Sequence, residues 1–188
     1  SVGVMDFGAK ENIIRSMAAR GCRVIRFSHT TKAEEVLSAG VSGIILSNGP
    51  GDPSVLDSET EEIRKLLGKR PLLGICLGNQ LLARACGAKT HKMRYGHRGA
   101  NQAVADVSTG RGILTSQNHQ YVVTEDSLKG TGLAVAFRHL GDGTVEGLLH
   151  REFDASSVQF HPEASPGPED ASYIFDDFVA HIRESGDR

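Results

Sequence analysis

The 188-residue chain lacks a long apolar run, a block of like charge and a paired set of cysteines, and each absence removes a class of protein. No stretch approaches the ~18 apolar residues of a membrane span, so no membrane is expected as a partner. Lys and Arg number 21 against 23 Asp and Glu, a formal net charge of -2. No run of five or six like charges could track phosphates, and no nucleic acid is expected either. The three cysteines, Cys22, Cys76 and Cys86, show no metal-type spacing, and their odd number argues against a disulfide framework. The expected setting is a reducing cytoplasm, with no metal. The opening "SVGVMDFG" has no charged-then-apolar signal pattern, so the chain is expected to be a compact protein or a piece of a longer one.

What is present is ordinary globular composition, 39% hydrophobic and 23% charged. The length suits a single domain over residues 1–188, burying roughly 70% of the surface of its unfolded chain. Short apolar runs ("VGVMDF", "CRVIRF", "GIILSN", "PLLGIC") alternate with helix-period segments ("KAEEVLSA", "SETEEIRKLLG", "GNQLLARACG"). That alternation predicts an α/β fold, a three-layer, mostly parallel sheet with helices on both faces. From about residue 88 the pattern turns to strand-like pieces between polar turns: "KTHKMRYG", "GILTSQNHQYVV", "GLAVAFRHL", "TVEGLLHR" and "SSVQFHPE". A partly antiparallel extension is expected there. Ala171, Ile174, Phe175, Phe178, Val179 and Ile182 form the apolar stripe of a closing helix.

Gly74-Ile75-Cys76-Leu77-Gly78 has the form G-x-nucleophile-x-G between a strand and a helix. Such a turn holds the central residue in strained backbone, and side chains at the flanking positions would meet neighbouring backbone, which glycine avoids. The sulfur is then expected at the carboxyl edge of the sheet, over a helix N-terminus whose partial positive charge suits an anionic sulfur. Cys22 and Cys86 have no such context and read as packing residues. A thiol nucleophile needs a base, and "QFHPEASPGP" offers His161 with Glu163 two residues on, for general base and orienting carboxylate. On spacing alone the same stretch also reads as a surface loop. "LSNGPGDP" (46–53) is a glycine-rich turn after a strand, able to offer N–H groups to an oxyanion. It is not a Walker loop, and "GDGTVEG" fails as a dinucleotide fingerprint.

Together "SNGPGDP", "GICLGNQ" and "FHPEASPGP" resemble the class I, triad-type glutamine amidotransferase family, over essentially the whole chain. "DFGAKENIIR", "GHRGANQAV", "TSQNH", "DGTVEG" and "HPEASPGPED" resemble the glutamine-hydrolysing small-subunit branch of carbamoyl-phosphate synthetases. The resemblance implies a flavodoxin-like amidotransferase fold, with Cys76, His161 and Glu163 as the triad and L-glutamine as substrate. It implies an oxyanion hole at the N–H groups of Gly51 and Leu77, where one lost donor costs roughly 2.7–4 kcal/mol. Gly49, Gly51, Leu77, Gln80, Asn118, Gln120 and Tyr121 would line the glutamine pocket. It implies ammonia passed to a large synthetase subunit, no cofactor in this domain, and ATP and Mg only in that partner.

The family's small subunit carries an additional N-terminal domain that does not match here. Asn79 stands where relatives commonly have histidine, and Gln120 where they usually have glycine, so the pocket's shape is expected to differ at Gln120. A glutaminase serving another synthase, and a catalytically silent docking or regulatory domain, remain open alternatives.

Overall fold

The computed structural model describes residues 1–164 and 166–186. Ser165 of the "FHPEASPGP" motif, together with Asp187 and Arg188, lies outside the described residues. The strands are β1 (Val2–Asp6), β2 (Val24–Ser28), β3 (Gly43–Leu46), β4 (Leu72–Ile75), β5 (Thr90–Asp106), β6 (Gly112–Val123), β7 (Leu133–His139), β8 (Val145–His150) and β9 (Ala155–Val158). The helices are α1 (Glu11–Ala19), α2 (Ala33–Ser38), α3 (Asp57–Leu66), α4 (Leu77–Ala85) and α5 (Tyr173–Gly186). One nine-stranded sheet runs in the order β2-β1-β3-β4-β9-β8-β7-β5-β6. The pairings from β2 to β9 are parallel and those from β9 to β6 antiparallel.

The period-2 alternation of the parallel strands divides the core into two layers. Val2, Val4, Ile45, Leu73 and Ile75 face α1 and α5, where Ile13, Met17, Phe175 and Phe178 meet them. Met5, Ile44, Leu46 and Leu72 face the other way, onto Val36 of α2, Ile63 of α3 and Leu81 of α4. The stripe expected on the closing helix is buried in the first of these layers. Helix α2 has no cap of its own; Glu62 of α3 accepts the Ala33 N–H at 2.9 Å and so binds the two helices together.

A third cluster, with Ala83, Val123, Leu133, Val145 and Leu148, ties α4 to the antiparallel strands. Where the sequence suggests that a strand ends at "KTHKMRYG", β5 continues to Asp106 through register shifts at Lys92/His97 and Gly99/Gln102. These bulges let a glycine-bearing strand stay paired while bending. The bend carries β6 back toward the parallel strands, where Ser116 bridges His161. Both ends of the site are thereby joined. Among the described residues no helix is long and apolar enough to cross a membrane.

Candidate functional site

Cys76 sits between the end of β4 and the start of α4 with φ 54° and ψ -103°. Among the described residues, the non-glycine residues with positive φ are Cys76 and Ala164, which flank the same site. Backbone of this kind persists only where its surroundings over-determine it. Here they do: a Cβ on Gly74 would lie 2.5 Å from the Gly78 carbonyl oxygen, and one on Gly78 would lie 2.1 Å from that of Leu46. The Cys76 N–H donates to Val158 O at 2.9 Å, which fixes the turn to β9. Cys76 is buried, and its sulfur points at the Asn118 carbonyl, 3.9 Å away on β6. Leu77 opens α4, where an N–H has no carbonyl one turn back to bond.

His161 and Glu163 form a second tight turn after β9. The Ala164 N–H donates to His161 O at 3.2 Å, and the His161 N–H donates to Ser116 O at 2.8 Å. This folds Glu163 beneath the imidazole, with Nδ1 2.6 Å from Glu163 Oε1. A carboxylate only accepts, so Nδ1 carries the proton and Nε2 is left to face the thiol. Burial pushes the imidazole down, but hydrogen bonding and charge from Cys76 and Glu163 more than offset it and lift His161 to about 9. His161 and Glu163 are each 3% exposed, so the surface-loop reading of this stretch does not hold.

The glycine turn is held by its polar neighbours. Ser47 Oγ accepts the Phe7 N–H at 2.9 Å, and Asn48 Oδ1 accepts the Lys10 N–H at 3.0 Å. A Cβ on Gly49 would lie 2.3 Å from Phe7 O, so "DFGAK" and "SNGPGDP" pack too closely for a side chain there. Gly49, Gly51, Cys76, Leu77, Gln80, Asn118, Gln120, Tyr121 and His161 all line one cavity of about 500 Å³. Glu163 stands behind His161.

Gln80 is buried, its amide donating to Tyr121 O at 2.9 Å and to Gln159 Oε1 at 3.1 Å. Gln120 is tied to the cavity wall, accepting from Arg98 Nη2 at 2.7 Å and donating to Met93 O at 2.8 Å. Asn79 turns from the cavity and bonds Gln159 and Ser157. Cys22 and Cys86 are free thiols outside the site, and burial raises Cys86 to about 11, as suits a packing residue.

Sequence reasoning assigned no role to Lys10, Asn12, Lys92 or Arg98. Lys10, Lys92 and Arg98 line the cavity and give its wall positive charge. Lys10 Nζ is 3.7 Å from Glu163 Oε1, and the Asn12 amide donates to Glu163 O. The polar residues of "DFGAKENIIR" hint at this, but only the fold shows that the start of α1 meets the Glu163 turn.

The architecture is shared with a GMP synthase component from Thermoplasma acidophilum, at a TM-score of 0.85 over 99% of this chain and 95% of that one. At 20% identity the likeness is one of fold. The chain is 55% identical over 181 residues to the carbamoyl phosphate synthase small chain of Bacillus caldolyticus, covering 96% of this chain and 50% of the relative. It is 53% identical over 178 residues to the pyrimidine-specific small chain of Halalkalibacterium halodurans, covering 95% and 49%. The chain thus spans about half the length of the curated relatives it matches. The family model described as glutamine amidotransferase class-I matches residues 3–181, a span that takes in both tight turns and the glycine loop. By that match the chain belongs to the class-I glutamine amidotransferase family.

Proposed function

We propose that this chain is the glutaminase domain of a carbamoyl-phosphate synthetase, hydrolysing L-glutamine and supplying the ammonia to a large synthetase subunit. The observation that carries the reading is the seat of Cys76: a buried cysteine at positive φ, facing a cavity of about 500 Å³, with the hydrogen-bonded His161–Glu163 pair against it. The choice of acceptor is supported by the identity to carbamoyl phosphate synthase small chains.

In this reading the Cys76 sulfur bonds to the side-chain amide carbon of glutamine as its proton passes to His161 Nε2. The carbonyl electron pair moves onto oxygen, which the N–H groups of Leu77 and Gly51 hold. The carbon–nitrogen bond then breaks, His161 returns the proton to the leaving nitrogen, and ammonia departs from a glutamyl thioester. A water gives its proton to His161 and attacks the thioester carbon; glutamate leaves and the thiol is restored. Glu163 keeps His161 in the tautomer that both half-reactions need. Gly49, Gln80, Asn118, Gln120 and Tyr121 shape the pocket, while Lys10, Lys92 and Arg98 suit a substrate carrying a carboxylate.

No step calls for a cofactor in this domain; ATP and Mg act in the large subunit. Direct delivery of ammonia is best, because in bulk water it protonates and loses its lone pair. Three free thiols suit a reducing cytoplasm, and we take residues 1–188 as one amidotransferase domain. Glutamate release is measured with the chain alone and with a carbamoyl-phosphate synthetase large subunit, beside Cys76→Ala. Cys76-dependent release that the large subunit stimulates is the expected result; no release in either setting sinks the reading.

A further inference from the structure

On the far side of the cavity wall the antiparallel strands bury a second polar cluster. His97 of β5, His119 of β6 and Glu146 of β8 are 8%, 6% and 0% exposed. Asn118 and Gln120, on either side of His119, line the cavity, so β6 separates the two centres.

The hydrogen bonds around the cluster fix where its protons are. His119 Nδ1 is 2.9 Å from the Tyr121 carbonyl and must donate to it, which leaves a lone pair on Nε2. His97 Nε2 is 2.8 Å from Asp142 Oδ2 and donates there, which leaves a lone pair on Nδ1. Thr115 Oγ1 donates to Gln102 O at 2.7 Å and accepts from Gln117 Nε2 at 3.1 Å. The carbonyl end of Gln117 therefore faces His119, with Oε1 2.8 Å from Nε2.

His97 Nδ1 is in turn 3.2 Å from both His119 Nε2 and Glu146 Oε1, and the latter two are 3.8 Å apart. Four lone-pair atoms thus crowd together. A single proton on His97 Nδ1 would leave the Gln117–His119 contact, acceptor against acceptor, unrelieved. Glu146 Oε2 is buried without a partner as well. Burial without a donor on this scale is costly unless a cation is present.

We propose that His97, His119 and Glu146 bind a divalent transition-metal ion, zinc by preference, with Gln117 Oε1 as the fourth donor. Two imidazoles and a carboxylate are a usual ligand set for zinc, and ligand distances of about 2.0–2.1 Å give a tetrahedron with edges of about 3.3–3.4 Å. The observed separations of 3.2, 3.2 and 3.8 Å bracket that edge. The outer partners are also those of a metal site: each imidazole donates its remote N–H, to Asp142 or to the Tyr121 carbonyl, which aims the other nitrogen inward. Asp142 is itself held, Oδ1 accepting from Thr144 Oγ1 at 2.7 Å. The ion fastens the β5–β6 hairpin, which forms the cavity wall, to β8. Its role is structural and separate from the chemistry at Cys76.

The test uses the whole chain carrying Cys76→Ser, so that no metal binds at that sulfur. Chelator-stripped protein is titrated with Co²⁺ and then Zn²⁺, following visible absorption, bound metal per chain and thermal melting. One ion per chain is expected, with a sulfur-free tetrahedral cobalt spectrum that Zn²⁺ displaces and a melting temperature that rises with metal. Glu146→Gln and His97→Asn should each weaken binding at least about tenfold, since each removes a ligand. Asp142→Asn should weaken it roughly ten- to a hundredfold through His97.

Should those variants fail to fold, imidazole ¹⁵N NMR of the parent chain names the coordinated nitrogens, expected to be Nδ1 of His97 and Nε2 of His119. Coordination by any other pair overturns the proposal. So does a parent that binds no more metal than Glu146→Gln, or one whose melting metal leaves unmoved.

Discussion

In the parallel half of the sheet, backbone places the chemistry: Cys76 is held at φ 54° by two glycines that no side chain could replace, within five residues of sequence. In the antiparallel half, side chains place it: His97, His119 and Glu146 come from three strands, brought together by the bends of β5 and the return of β6. The first arrangement stores strain and leaves its functional group facing a cavity. The second stores none that is visible in the backbone and buries its groups away from solvent. A strained turn suits a group that must be presented to a ligand, while convergent side chains suit one that must be enclosed.

The sharpest test of this contrast is at the thiol. Cys76→Ala should lower glutamate release by about 10⁴-fold or more, since a nucleophile has no substitute among its neighbours. Cys76→Gly should be equally inactive yet more stable by about 1 kcal/mol in urea unfolding, because glycine accepts positive φ without strain. A Cys76→Gly chain less stable than Cys76→Ala would mean that the turn is not strained.

Next in size is the carboxylate behind His161. Glu163→Gln preserves shape but loses the charge that holds the tautomer, and glutamate release should fall about 10²- to 10⁴-fold. The same pair shapes stability. His161 is lifted to about 9 from the ordinary histidine value of about 6.5. The folded chain therefore binds a proton that the unfolded chain releases, a contribution fully present below about pH 6.5 and lost as pH rises through about 9. Urea unfolding should show wild-type stability declining across that window and a flatter profile for Glu163→Gln. Equal slopes in the two proteins would remove the pair from the account.

Smaller again is a glycine comparison across the two halves. Gly78→Ala would place a Cβ 2.1 Å from Leu46 O, beneath β3, and should cost about 3 kcal/mol. Gly110, in the turn between β5 and β6, has φ 73° and nothing within 4 Å of its would-be Cβ. Gly110→Ala meets only conformational strain, about 1 kcal/mol. Equal losses at the two positions, measured by denaturant unfolding, would show that close packing is not what sets the turn at Cys76.

The same contrast explains what could be read from sequence. Cys76 was legible because a strained turn writes itself into adjacent residues, and the β-α alternation was legible because each strand faces helices on both sides. His161 and Glu163 were legible as a pair, but their burial depends on the Ser116 bridge and on Asn12 from α1, which lie 45 and 149 residues from His161 in the chain. The continuation of β5 through Gly96 and Gly99 was hidden because glycine signals both turns and bulges. The His97, His119 and Glu146 cluster was hidden for a stronger reason: no periodicity links residues whose only relation is a bend in the sheet.

Gln120 joins the two halves and gives the smallest expected effect. Its side chain occupies a place where relatives have none, yet it does not fill the cavity; it spans from Arg98 Nη2 at 2.7 Å to Met93 O at 2.8 Å, stapling β6 to β5. The expected obstruction of the pocket is thus converted into a brace for its wall. Gln120→Gly would remove both bonds, costing about 1–2 kcal/mol of local stability, and would free the Arg98 guanidinium to meet a substrate carboxylate. KM for glutamine should shift by less than about tenfold with kcat nearly unchanged, the pattern of altered ground-state binding. A large loss of kcat would instead mean that the brace holds Asn118 and the Cys76 sulfur in register, and that the two halves of the sheet are coupled through this one side chain.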